Sequence, residues 1–314
     1  MTSPDASKEK IVAIVGPTAS GKTGTAVAVA ERVGGEIVSA DSVAVYRRLN
    51  IGSAKPTELE RGGITHHLID VANPTERFDA MRYAREAGAT IADIIARGRI
   101  PIVVGGTGLY LKALVYGLVP APEADRDMRR SLRERVKTEG PEKLHRELAA
   151  VDPESAAKIE PRDGVRIVRA LEIYSATGLP AEEIRRQHGF LEQRYNVLTF
   201  GLLMERDFLY RRINERVIQM MQGGIVDEVK NLLEEGCTPQ DHALGAIGYR
   251  EVCAHLRGAM DLNETVDLIQ RNTRRLAKRQ MTWFRKMPDI HWVHYPYPID
   301  EMSEAIFRFY GEGT

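Results

Sequence analysis

In the first third of the chain the apolar residues come as short uninterrupted runs. Residues 11–15 (IVAIV) sit between a charged tail and a glycine, the pattern of a strand buried on both faces of a parallel sheet. The alanine-rich segment TGTAVAVAERVGG follows and closes on Gly34 and Gly35, as a helix with a C-terminal stop does. A second strand, EIVSA, runs up to Asp41. A third short run, HLIDV, covers residues 67–71, and the spacing predicts a helix from Asp79 to Arg97. Residues 100–104 (IPIVV) are another buried strand and lead straight into Gly105, Gly106, Thr107 and Gly108. Strand and helix alternating in this way predict a doubly wound α/β sheet, with ligands at the carboxyl ends of its strands.

Past Pro120 the texture changes. Residues 123–188 carry no buried-strand signal and are dense in charge, with helix starts at Asp125, Pro141, Pro153 and Asp163. NVLTFGLLM at 196–204 returns to a core-strand pattern; the remainder reads as helices with a last short strand in HWVHY. The expected organisation is an α/β core from 1–122 and 189–314, including C-terminal helices, with a helical insertion domain at 123–188. No internal repeat or low-complexity segment interrupts it.

Composition changes this picture little. A chain of 314 residues with 43% hydrophobic content can build one large core and a second module. A formal net charge of zero does not exclude a polyanionic partner, because a basic patch can be balanced elsewhere. Cys237 and Cys253 lack zinc-site spacing and read as plain thiols in a reducing compartment. The polar N-terminus MTSPDASKEK is no signal peptide, and no run approaches the roughly 18 apolar residues of a membrane span. The expectation is a cytoplasmic monomer without a membrane or protein partner.

Candidate chemistry begins at GPTASGKT. Gly16, Gly21, Lys22 and Thr23 complete G-x-x-x-x-G-K-[ST] between a strand and a helix, the context that a P-loop requires. Backbone N–H groups of Gly16, Pro17, Thr18, Ala19, Ser20 and Gly21 (the proline excepted) can converge on phosphate oxygens at a helix N-terminus. Lys22 adds a full charge, and Thr23 is the candidate Mg²⁺ ligand. The fold class is therefore a P-loop NTPase-like doubly wound parallel sheet. A working NTPase places an aspartate at the end of a core strand, yet IPIVV ends in GGTG. Asp41 is the acid left on that edge, either as a turn or helix-capping residue or as a carboxylate facing the phosphate cradle.

GPTASGKT, SADSVAVY, IGSAKPT, HHLIDV, VVGGTGLYLKAL, RIVRALE, GAIGYRE and LAKRQMTWFRK, in this order, resemble the tRNA dimethylallyltransferase (isopentenyl-tRNA transferase) family over residues 11–286. The chain departs from the family pattern at Arg162, where an asparagine is expected, and at Val165, which replaces a polar residue. The resemblance implies transfer of a dimethylallyl group from dimethylallyl diphosphate to the exocyclic amine of the adenine 3′ to the anticodon. The loop would then hold a departing diphosphate with Mg²⁺ and Lys22. Asp41 would accept the amine proton, Thr107 would align the amine, and Arg216, one turn after Arg212, would reach the diphosphate. Gly105, Gly106 and Gly108 allow close backbone approach or simply turn the chain.

RNTRRLAKRQMTWFRK at 271–286 carries seven Lys or Arg residues and no acid, either a solvated helix with an apolar anchor or an RNA face. The resemblance makes Lys278, Arg279, Gln280 and Arg285 contacts to the tRNA anticodon stem-loop, while Trp283 reads as buried. It adds Asp41, Ser42, Val43, Ala44, Thr107, Arg129, Arg166, Arg169, Gly248, Tyr249 and Arg250. Arg166 and Arg169 can alternatively form a surface pair bridging Glu172. His66 and His67, beside a strand, read as structural. From the residues alone, a P-loop small-molecule or nucleotide kinase, a noncatalytic RNA-binding module and an isopentenyltransferase for free adenine nucleotides are the rivals.

Overall fold

The uninterrupted apolar runs form the middle of a sheet. In the computed structural model, which describes residues 8–118, 126–188 and 193–311, the strands are β1 (Lys10–Val15), β2 (Gly35–Ser39), β3 (His66–His67), β4 (Ile100–Gly105), β5 (Asn196–Leu203) and β6 (Ile290–His294). They are all parallel and stand in the order β3-β2-β4-β1-β5-β6. β1 lies between β4 and β5, with Ile14 opposite both Val104 and Phe200, so both of its faces need apolar residues. Ile11, Val12, Ala13 and Ile14 are fully buried, each larger side chain contributing about 2 kcal/mol of burial.

The helices are α1 (Lys22–Val33), α2 (Glu58–Arg61), α3 (Ala80–Ala96), α4 (Gly108–Tyr116), α5 (Arg126–Glu139), α6 (Pro141–Val151), α7 (Pro153–Lys158), α8 (Gly164–Thr177), α9 (Ala181–His188), α10 (Arg206–Gln222), α11 (Ile225–Glu234), α12 (Tyr249–Leu256), α13 (Leu262–Phe284) and α14 (Ile299–Gly311). The chain divides into two compact units, Met1–Val115 with Arg194–Thr314, and Tyr116–Gln193.

In the first unit α1 buries Ala26, Val29, Ala30 and Val33 against the sheet, and Met302 and Ile306 of α14 join the same cluster. Asp79 caps α3 through Met81 N–H and Arg82 N–H, both at 3.1 Å, which is why that helix starts where the sequence places it. On the opposite face of β2 from α1, the Glu36 carboxylate accepts from Arg97 and, at 2.7 Å, from His67 Nε2. The Arg97 hydrogen bonds hold its pKa down near 2.

The second unit is helical throughout its described residues. Leu144 and Leu148 of α6, Leu132 of α5, and Ile167 and Val168 of α8 make its core. Pro141, Pro153 and Asp163 do begin or cap α6, α7 and α8 as the sequence indicates. The start expected at Asp125 lies outside the described residues.

One strand differs from expectation. β3 is two residues long and precedes most of HLIDV, because Leu68 (φ 59°) and Asp70 (φ 57°) are left-handed and cannot continue an extended ladder. Lys55 Nζ holds this bend by donating to Asp70 Oδ1 at 2.6 Å.

Candidate active site

The GPTASGKT loop leaves the carboxyl end of β1 and enters α1, whose first turn has no side-chain cap. Ala19 (φ 64°) and Gly21 (φ 90°) are both left-handed, giving the loop its inward curl. The uncapped N–H groups and the helix dipole are left for an anion.

Three later parts of the chain hold the loop from outside. Arg212 Nε of α10 donates to Ala19 O at 2.9 Å, and Tyr297 Oη, just before α14, donates to Ser20 O at 2.7 Å. Gln280 of α13 accepts from Thr18 N–H at 2.8 Å and donates to Gly106 O at 3.1 Å, tying the phosphate loop to the loop after β4. Thr18 N–H is thereby engaged away from any phosphate, and Pro17 O accepts from Lys22 Nζ at 2.7 Å. The amides available to an anion are those nearer the helix. Burial lowers the Lys22 pKa to about 8 against the opposing pull of Asp41, with Arg216 adding to the lowering.

Of its two readings, Asp41 takes the turn role. Its Oδ1 accepts from Val43 N–H at 2.8 Å and Ala44 N–H at 3.1 Å, closing the turn after β2, and Oδ2 has no hydrogen-bond partner among the described residues. Thr107 braces the same turn: Oγ1 accepts from Ser42 N–H at 3.1 Å and donates to Ser42 Oγ at 3.3 Å. The two loops touch because Gly105 has no side chain; a Cβ there would fall 2.1 Å from Ala40 O.

Two cavities meet at this turn. The larger, about 610 Å³, is lined by Thr18, Asp41, Ser42, Val43, Thr107, Arg216, Arg250, Arg279 and Gln280, among others. The smaller, about 80 Å³, is lined by Lys22, Thr23, Ser39, Asp41, Ser53, Lys55 and His66 together with apolar residues. Asp41 is the one titratable residue common to both. Arg216 makes no ion pair among the described residues, and burial, reinforced by the charge of Arg212, lowers its pKa below the ordinary guanidinium value. A partly desolvated guanidinium that forms no ion pair is the type of group that takes an anion with two oxygens at once.

The basic stretch runs along α13 and just past its end, where Arg271, Arg275, Lys278, Arg279, Arg285 and Lys286 form no ion pair among the described residues. Trp283 is not buried: it is 37% exposed and lies against Gly108, whereas Phe284 takes the core position. Neighbouring helix positions point about 100° apart, so only one of the two aromatics can face inward. Tyr249 also departs from expectation as a contact side chain. It is fully buried, with Oη donating to Glu228 Oε1 at 2.7 Å, and Gly248 N–H donates to Glu251 at 2.7 Å. Their neighbour Arg250 is the member of GYR that reaches the cavity.

In the second unit, Arg129 and Arg169 both bond the buried Glu172, and Arg166 pairs with Asp163 at 3.4 Å. The bridge to Glu172 is thus formed by Arg129 and Arg169 instead of Arg166 and Arg169.

The 50–54 loop, which overlaps IGSAKPT, has no role legible in its residues alone. Glu228 accepts from Asn50 N–H at 2.9 Å, Ile51 N–H at 2.8 Å and Gly52 N–H at 3.3 Å, setting Gly52, Ser53 and Ala54 into the larger cavity wall. His242, bonded through Nδ1 to Tyr46 Oη at 3.2 Å, lines the same wall. A lone histidine in a helix-rich stretch gave no signal for it.

The Thr23 hydroxyl and the Asp41 carboxylate both line the smaller cavity beside the phosphate loop and are oxygen donors of the kind that Mg²⁺ takes. Magnesium favours such sparse oxygen ligation, completed by water and substrate phosphate.

A loop of this kind at the carboxyl end of an inner strand, in a sheet of this topology, places the chain among the P-loop-like α/β proteins, and β4 ends in glycine where their phosphoryl-transferring members carry an acid. The chain belongs to the IPP transferase family, whose model matches residues 44–287. It is 52% identical over 305 residues to the tRNA dimethylallyltransferase of Geobacter sulfurreducens, covering 97% of this chain and 98% of the relative. The tRNA isopentenylpyrophosphate transferase structure from Bacillus halodurans is 42% identical, with a TM-score of 0.71 over 98% of this chain and 97% of that one. A eukaryotic dimethylallyltransferase solved acting on tRNA is 30% identical, with a TM-score of 0.76 over 91% of this chain and 74% of that one.

Proposed function

We infer that this chain is a tRNA dimethylallyltransferase that takes its prenyl group from dimethylallyl diphosphate and delivers it to the exocyclic amine of the adenine 3′ to the anticodon. The observation that carries the reading is the place of Asp41, where a cavity beside the phosphate loop meets one with room for a nucleobase. The amine lone pair of adenine is delocalised into its ring, so attack needs an acceptor for the departing proton. The free Oδ2 of Asp41 takes it. The bond from the allylic carbon to the diphosphate oxygen breaks as the nitrogen–carbon bond forms, and diphosphate leaves with the bonding pair.

Lys22, Arg216 and the N–H groups at the start of α1 stabilise the charge that gathers on the leaving diphosphate. Thr23 would hold Mg²⁺ with Asp41 beside it, and the ion would supply further charge neutralisation there. Thr107 keeps the Asp41 turn in register with the loop after β4. The adenine must leave its stack to reach Asp41, as bases do in other nucleobase-modifying enzymes. Arg250 and Arg279 line the cavity that would receive it, and the unpaired cations of α13 suit the flanking phosphates. In the second unit, Arg166 is the most exposed of the three candidate arginines. The proposed setting is a cytoplasmic monomer, with Cys237 and Cys253 as free, buried thiols.

The test offers labelled dimethylallyl diphosphate and Mg²⁺ with unmodified tRNA in one reaction and AMP or ADP in another, with ATP turnover followed separately. Label in tRNA alone is expected. Label on the free nucleotide, or ATP consumption without prenyl transfer, overturns the assignment.

A further inference from the structure

The two adjacent histidines of HHLIDV face opposite ways. β3 pairs with β2 so that His66 stands beside Ile37 and His67 beside Val38. Successive strand residues alternate faces, and paired residues share one. His67 therefore joins Glu36 on the face away from α1, where its Nε2 is bonded to that carboxylate at 2.7 Å. His66 shares the α1 face with Ile37 and Ser39, and all three line the small cavity beside Lys22 and Thr23.

The chemistry of His66 is fixed at one nitrogen and open at the other. Nδ1 lies 2.8 Å from Ile64 O, and a carbonyl can only accept, so Nδ1 carries the proton. In the neutral ring Nε2 is then a bare lone pair, and it is buried without any hydrogen-bond partner. Burial also lowers the pKa of the ring, which favours that neutral form. Such an acceptor cannot bond a phosphate oxygen, since both offer only lone pairs. Its partner must bring a proton or a vacant coordination position. The cavity, at about 80 Å³, has room for several waters, each needing about 10–15 Å³ by this measure.

We propose that His66 is a binding residue of the donor site, its Nε2 accepting a hydrogen bond from a water of the hydrated divalent cation that accompanies the diphosphate. The proposal rests on the donor-site reading above and adds a ligand-holding side chain that neither the P-loop motif nor the acceptor turn contains. The residue acts on the cation's water shell and leaves the diphosphate to Lys22, Arg216 and the loop amides. It makes the second histidine of the pair structural and the first functional.

The test uses the full chain without RNA and inorganic pyrophosphate as the probe, titrated calorimetrically with Mg²⁺ or with EDTA. His66→Phe is expected to lose about tenfold of the affinity gained from Mg²⁺, the usual scale for removing an outer-sphere metal partner, and to bind pyrophosphate in EDTA as the wild type does. His66→Gln, whose amide oxygen can accept, is expected to recover part of the gain. A His66→Phe chain that keeps the full gain, or that weakens equally with and without metal, overturns the proposal. Independently of folding of the variants, the ¹⁵N resonance of His66 Nε2 in the wild type should move on adding Mg²⁺ with pyrophosphate but not pyrophosphate in EDTA; an unmoved resonance overturns it too. A wild-type chain that binds no pyrophosphate overturns the donor-site reading as well, so the two failures are distinguishable.

Discussion

At the scale of single residues, the two oxygens of Asp41 have separable duties. Asn keeps a carbonyl oxygen for Val43 and Ala44 N–H but cannot take a proton, whereas Ala loses both roles. Asp41→Asn is expected to slow single-turnover prenyl transfer by about 10²- to 10⁴-fold, the usual worth of a general base, with thermal stability unchanged. Asp41→Ala should match that loss and also lower stability by about 1 kcal/mol, the cost of a missing cap. An Asp41→Asn chain at wild-type rate in rapid-quench measurements would remove Asp41 as the base. Lys22 makes a second prediction. Its pKa, near 8 in the free protein, means that the ammonium is present below that pH and is lost above it. Pyrophosphate affinity should therefore fall as pH rises past about 8, and Lys22→Met should bind weakly at every pH without that step. Calorimetry across that range decides it.

At the scale of elements, Gln280 is the joint between α13, the phosphate loop and the loop after β4. Removing two such hydrogen bonds costs about 1 kcal/mol each, so Gln280→Ala should raise the KM for the prenyl donor by about tenfold or more. Its fold should stay intact by circular dichroism, and an unchanged KM would show that the loop holds its shape alone. The same elements explain what was legible beforehand. Strand-buried runs such as IVAIV and IPIVV can be read because burial on two faces demands apolar residues throughout. The phosphate loop can be read because its spacing is set by local backbone geometry. HLIDV was misjudged because hydropathy does not show that Leu68 and Asp70 are left-handed. Trp283 reads as buried because hydropathy does not show which of two adjacent aromatics on a helix faces inward, and here it is Phe284. Arg212, Tyr297 and Gln280 gave no sign of gripping the loop, since those contacts join residues very distant in sequence. The burial of Tyr249 and its bond to Glu228 were hidden for the same reason.

At the scale of the whole molecule, a formal charge of zero conceals an uneven distribution. Acids elsewhere offset a helix whose cations form no ion pair among the described residues, Arg274 bonding only the neutral Asn214, so the field along its basic stretch is positive although the sum is nil. Affinity for tRNA should fall steeply with salt. Lys278→Ala or Arg285→Ala should each reduce the slope of log K against log[salt] by about 1 if that residue meets a phosphate, with weakening that is uniform across tRNA sequences. A slope equal to that of the wild type would take the residue off the RNA. The grip on the phosphate loop also bears on biosynthesis. Its motif leaves the ribosome well before the side chains that secure it, which sit at positions 212, 280 and 297, and the β5 partner of β1 begins only at 196. A growing chain thus carries a recognisable but unbraced anion loop until residues 212, 280 and 297 have followed it, and the donor site matures only then.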